Sequence, residues 1–105
     1  MTFAIVLDAN FIRDVEKFAE YAAAYSDEFA REQFMRLNRI LTTDLAEAPR
    51  TWGFFFVTGA PYRAYLFRVG RRTSYWIVYA IDEDARRVNV LRFWNASRDA
   101  ETFKI

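Results

Sequence analysis

Three runs decide the fold: Tyr62-Arg63-Ala64-Tyr65-Leu66-Phe67-Arg68-Val69, Ser74-Tyr75-Trp76-Ile77-Val78-Tyr79-Ala80-Ile81-Asp82, and Arg87-Val88-Asn89-Val90-Leu91-Arg92-Phe93-Trp94. All are rich in β-branched and aromatic residues, which suit a pleated, half-buried surface. Between them stand Gly70-Arg71-Arg72-Thr73 and the polar tip Asp82-Glu83-Asp84-Ala85-Arg86, both turn-like in composition. The pattern predicts an antiparallel meander closed by Asn95-Ala96-Ser97-Arg98-Asp99, and the middle run, apolar on both faces, reads as its central strand. Arginines punctuate the stretch, and no acidic residue falls between Trp52 and Ile81.

Working upstream, Trp52-Gly53-Phe54-Phe55-Phe56-Val57 is aromatic and β-prone, and Thr58-Gly59-Ala60-Pro61 is a turn cluster from which Tyr62–Val69 returns antiparallel. Pro49 ends a helix predicted from about Asp27 to about Ala46, with Ala30, Phe34, Leu37, Leu41 and Leu45 as its apolar stripe. Ser26-Asp27 offers that helix a cap, and Glu28 lies in the first turn, where negative charge suits the helix dipole. Before it, Phe11, Val15, Phe18, Ala22 and Tyr25 form the stripe of another helix, capped by Asp8 or Asn10. So short a link makes the two helices an antiparallel hairpin. Phe3-Ala4-Ile5-Val6-Leu7 reads as a buried first strand. The expected class is α+β: an N-terminal strand, a two-helix hairpin, then an antiparallel meander of three to four strands with the helices packed on one sheet face. The whole of residues 1–105 is read as a single domain.

Hydrophobic content of 53% and aromatic content of 19% argue for a packed core and against disorder. No apolar run approaches the roughly 20 residues of a membrane helix, and the N-terminus lacks the basic region of a signal peptide. A chain without cysteine has no disulfide framework, so the cytoplasm is the expected setting. A chain without histidine excludes histidine chemistry and the usual zinc sites; no cofactor and no metal are expected.

The net charge of +1 hides an asymmetry: residues 1–50 carry six Lys/Arg against nine Asp/Glu, and residues 51–105 carry nine against five. A basic half suits an anionic partner, while arginines on a solvated sheet also guard its edges against aggregation. Arg63, Arg68, Arg92 and Arg98 are the candidate cations, since guanidinium holds phosphate bidentately. Arg92 has the alternative of an ion pair with Asp99 or Glu101. Arg71, Arg72 and Lys104 are candidate phosphate contacts, and Trp76 and Trp94 candidate base-stacking platforms on the face the helices leave uncovered. Aromatics in such a meander also serve as core, the expected role of Tyr79 and Phe93. The Gly70-Arg71-Arg72 run lacks the spacing of a phosphate-cradling loop.

The element order, with Phe3–Val15, Phe67-Arg68-Val69-Gly70, Ser74–Asp82 and Val90–Asp99, resembles the RelE/ParE toxins of bacterial type II toxin–antitoxin systems. The resemblance implies a small cytoplasmic toxin neutralised by a cognate antitoxin. RelE-like members enter the ribosome and cut mRNA without metal; ParE-like members keep the fold, lack the nuclease set and poison DNA gyrase. By this resemblance Arg98 matches the basic residue after the last strand, and Arg63 and Arg68 lie on the strand that supplies cations in the nucleases. The reaction it implies needs a base for the 2′-hydroxyl, cations for the phosphorane charge and an acid for the leaving oxygen. Arg63, Arg68, Arg92 and Arg98 are the catalytic candidates for those cations. Trp76 stands where the strand motif places an arginine, and Phe103 lies near the C-terminal tyrosine position without a hydroxyl. The leading expectation is a ribosome-associated mRNA endoribonuclease. The alternatives are a gyrase inhibitor or a degenerate toxin that only binds its antitoxin. An amphipathic, acidic antitoxin segment is expected on the uncovered Trp-, Tyr- and Arg-rich sheet face.

Overall fold

A computed structural model of the chain describes residues 2–55 and 61–98. Strand β1 (Ala4–Leu7) leads into helix α1 (Ala9–Tyr25) and helix α2 (Asp27–Arg39). A π-helical turn, Ile40–Asp44, carries α2 on into a short α3 (Leu45–Glu47). Strands β2 (Arg63–Arg68), β3 (Ser74–Asp82) and β4 (Arg87–Asn95) follow. The class is α+β, as the pattern predicts, and the helix expected over Asp27–Ala46 is this continuous α2–α3 run. Within the expected Trp52–Val57 strand, Phe54 makes a single antiparallel bridge to Arg63. Phe56, Val57 and the turn cluster up to Ala60 lie outside the described residues.

Capping explains where the helices start. The Asp8 carboxylate accepts from the Asn10 amide at 2.8 Å, and Ser26 Oγ accepts from the Phe29 amide at 3.0 Å. Ser26 also closes α1, donating its own amide to the Ala22 carbonyl, so one extended residue makes the hairpin corner. The apolar stripes then meet the sheet: Phe11, Phe18, Ala22, Leu37, Ile40 and Leu45 are buried against Phe67, Ile77, Tyr79, Val88, Val90 and Phe93. Tyr79 and Phe93 are core, as expected.

The sheet order is β1-β4-β3-β2, with β1 parallel to β4 and the other pairings antiparallel. In β4 the register skips a residue: Tyr79 faces Val90 while Val78 faces Arg92, leaving Leu91 as a bulge. A bulge reverses which side chains point to which face. Val88 and Val90 therefore face the helices before it, and Phe93 after it, while Trp94 turns to the opposite face. There Trp94, Val78 and Ala64 form a second small cluster under Phe55, with Trp76 and Tyr62 at its margin. The face expected to be largely uncovered is thus partly roofed by the segment before β2.

Because β1 stops opposite Val90, the rest of β4 runs on with no β1 neighbour. Helix α1 closes this open edge with one side chain. The Asp14 carboxylate accepts from Arg92 Nε at 2.7 Å, from Arg92 Nη2 at 3.1 Å and from the Phe93 amide at 3.0 Å. Both side chains are largely buried, 14% exposed for Asp14 and 16% for Arg92. Arg92 thus pairs with Asp14, a residue brought to it only by the tertiary fold.

Two predictions follow from these buried polar contacts. Asp14→Ala leaves the Arg92 charge and the Phe93 amide without this acceptor, and urea denaturation is expected to show a loss of about 3 kcal/mol. Asp14→Asn, which keeps an acceptor but not the charge, is expected to fall between. The Tyr79 hydroxyl is buried and donates to the Pro49 carbonyl at 2.6 Å; burial pushes its pKa up from 10.0 to about 12. The native state then keeps a proton that the unfolded chain releases near pH 10.0. Stability is expected to fall by about 2–3 kcal/mol as pH rises across that interval. Tyr79→Phe removes most of this alkaline slope and costs about 1–2 kcal/mol at neutral pH.

Candidate functional site

The cleft that emerges lies where α1 crosses the open end of β4. Asn95 ends the strand and shapes the turn after it, its side-chain oxygen accepting from the Ser97 amide at 2.9 Å and from Ser97 Oγ at 2.8 Å. The Arg98 amide donates to the Asn95 carbonyl at 3.0 Å, and the Ala96 amide donates to the Ser74 carbonyl at 2.9 Å. This turn holds Arg98 at the end of the sheet, its guanidinium 5.3 Å from the Trp94 ring centre. The Arg92 guanidinium lies at 5.2 Å from the same ring.

Lys17, one turn beyond Asp14 on α1, forms the opposite wall. Tyr75, at the start of β3, forms the floor, stacked on Phe93 with ring centres 4.4 Å apart and planes 7° from parallel. The enclosed space is about 160 Å³, and the Asp14–Arg92 pair closes its inner side. Neither Lys17 nor Arg98 joins an ion pair among the described residues. Burial raises the Tyr75 pKa, with a smaller push from Tyr21 against a pull from Arg98, so the phenol is a proton donor and a poor base at neutral pH. Two cations, a neutral phenol and an amide can grip a phosphate or carboxylate by charge and hydrogen bonding. Among the described residues no group of three carboxylates gathers as a metal site.

The structure separates the arginines. Arg63 sits opposite Tyr79 and Arg68 opposite Ser74, about 17 Å apart along β3. Arg63 donates to the Trp52 carbonyl at 2.7 Å and lies over the Phe54 ring at 4.3 Å, clipping the segment before β2 to the sheet. Arg68, Arg71 and Arg72 are exposed at the β2–β3 turn, on the same end of the sheet as Arg98. Trp76 and Trp94 face each other across β3 and β4; Trp76 is half-buried and Trp94 buried. Lys104 and Phe103, with Asp99 and Glu101, lie outside the described residues.

Sequence reasoning missed Lys17, Asp14, Tyr75 and Asn95 as partners in one place. Two signals were present: Asp14 and Lys17 lie three apart beside the Phe11–Phe18 stripe, and Asn95-Ala96-Ser97 has the form of an asparagine turn.

The comparisons agree with this architecture. Residues 5–100 match the model of a family described as the ParE toxin of type II toxin–antitoxin systems, parDE. A similar solved structure is the RelBE2 toxin–antitoxin complex from Mycobacterium tuberculosis, with a TM-score of 0.62 and 18% identity over 90% of this chain and 99% of that one. No curated protein matches. A family match spanning β1 to the turn after β4, on a RelE-like fold, places this chain in the ParE toxin family of type II toxin–antitoxin systems.

Proposed function

We propose that this toxin-family chain arrests growth by gripping its target through the Lys17–Arg98 cleft, without cutting RNA, and that the target is DNA gyrase. The observation that carries this reading is the commitment elsewhere of two of the four candidate catalytic arginines. Arg92 is neutralised by Asp14, and Arg63 is bound to loop carbonyls at the far end of β2. Trp76 occupies the strand position where the nuclease motif carries arginine. What remains at the cleft is a set of binding groups, which fits the gyrase-directed branch of the resemblance. The mRNA-cleaving alternative draws on one observation, the Tyr75 phenol lining the same cleft as Arg98, although burial raises its pKa and so makes it a weaker acid.

The expected antitoxin would cover a different surface from the one the sequence suggests. Phe55 already occupies part of the sheet face opposite the helices. An apolar groove of about 340 Å³ runs instead between α1 and α2, lined by Leu7, Phe11, Val15, Phe34 and Leu41. At its rim Leu7 is 41% and Ile12 44% exposed, and β1 is an edge strand. An amphipathic helix in the groove, continuing as a strand beside β1, would bury these groups and satisfy the free edge.

The test is tightly controlled expression of the chain alone in a bacterium, following growth, primer extension on bulk mRNA and plasmid supercoiling together. Growth arrest with intact mRNA and loss of supercoiling is expected, with Arg98→Glu restoring plating by at least about tenfold, the effect of losing roughly 1.4 kcal/mol of target binding. Codon-phased mRNA cuts would instead establish cleavage. Ile12→Glu is expected to leave arrest intact and to weaken neutralisation by the co-expressed antitoxin.

A further inference from the structure

The joint between α1 and α2 carries a second cleft that the target-gripping site does not use. Tyr21, Tyr25 and Phe29 form a ladder, with ring centres 5.3 Å apart from Tyr21 to Tyr25 and 5.3 Å from Tyr25 to Phe29. Tyr25 is 69% exposed and Tyr21 is exposed beside it, while Phe29, at the end of the ladder, packs against the core. Facing them is the turn Val69–Thr73, held by the Val69 and Gly70 amides, which both donate to the Thr73 carbonyl. Arg71 and Arg72 project from this turn, exposed, and neither joins an ion pair among the described residues. The space between ladder and turn is about 310 Å³, and among the described residues no acidic side chain lines it.

We propose that this cleft binds single-stranded nucleic acid, an unpaired base stacking on Tyr25 and the flanking phosphates lying on Arg71 and Arg72. An aromatic face beside a pair of exposed guanidinium groups is the combination that a flexible polyanion with exposed bases satisfies on both counts. A duplex would offer the phosphates but keep its base faces hidden in the stack. An acidic peptide would answer the arginines and leave the tyrosine faces unused. Asp27 and Glu28, nearby in sequence, stand in the first turn of α2 and not in the cleft. The proposal goes beyond the choice of target and holds whether that target is gyrase or mRNA.

Fluorescence anisotropy of the purified 105-residue chain tests it, using labelled oligothymidylate and oligouridylate, a duplex of equal length and an oligoglutamate as probes. The single strands are expected to bind more tightly than the duplex and the oligoglutamate. Tyr25→Ala is expected to weaken single-strand binding about tenfold, one stacked base, whereas Tyr25→Phe binds like the parent. Replacing both Arg71 and Arg72 by alanine should lower the slope of log affinity against log salt by about 1.4. These side chains are exposed, and an unchanged circular dichroism spectrum checks that the variants are folded. Equal binding of duplex or oligoglutamate, or a Tyr25→Ala variant that binds like the parent, overturns the proposal. The first result would indicate an unspecific cationic surface or a protein partner; the second would remove the stacking role. Neither bears on whether the chain arrests growth through Arg98, so the two readings fail separately.

Discussion

One carboxylate, that of Asp14, accepts three hydrogen bonds at the place where the sheet would otherwise lie open. An unprotected strand edge invites pairing with other chains, and a buried guanidinium without a partner is costly. Asp14 resolves both problems and thereby sets how α1 lies across β4. The positions of Phe11 and Phe18 in the core, and of Lys17 over Tyr75, follow from that crossing. The same contact pairs the Arg92 guanidinium with a carboxylate at the inner side of the cleft. Of the three cations that line the cleft, Arg98 and Lys17 are the two with no ion pair among the described residues.

Much of the fold was legible because amphipathic spacing and local caps carry it. The Phe11–Tyr25 and Ala30–Leu45 stripes, the corner at Ser26 and the three meander strands all depend on neighbours close in sequence. What was not legible depends on distant partners. Nothing local in Ala4–Leu7 states that it lies parallel to the last strand, since both runs are simply apolar. The bulge at Leu91 leaves only a faint trace, the adjacent apolar pair Val90-Leu91 that breaks the alternation of Val88-Asn89-Val90. That single extra residue decides that Phe93 enters the core and Trp94 leaves it, and it turns Arg92 toward the open edge that Asp14 covers.

For the site, residue type was informative and grouping was not. Arginine after the last strand was visible as a candidate, and Arg98 indeed lines a cleft. The predicted strand Tyr62–Val69 already placed Arg63 and Arg68 at opposite ends, but not what either one touches. Arg63 looks like any other cation until its bonds to the Trp52 and Arg50 carbonyls are seen. Lys17 and Tyr75 were unremarkable in sequence because their use depends on α1 crossing β3 and β4. The cations singled out in sequence thus fall in three places: Arg63 and Arg92 in the architecture, Arg98 in the cleft, and Arg68, Arg71 and Arg72 exposed at the β2–β3 turn.

The central claim is that the cleft between α1 and β4 is where the toxin touches its target. Ser97, exposed beside Arg98, is the position from which to test it. A photoreactive residue placed there is crosslinked in cells undergoing arrest, and the adduct is identified by mass spectrometry. The account predicts a covalent adduct with a gyrase subunit that disappears when Arg98→Glu is added. An adduct with ribosomal protein or RNA, or a gyrase adduct that persists with Arg98→Glu, would contradict it.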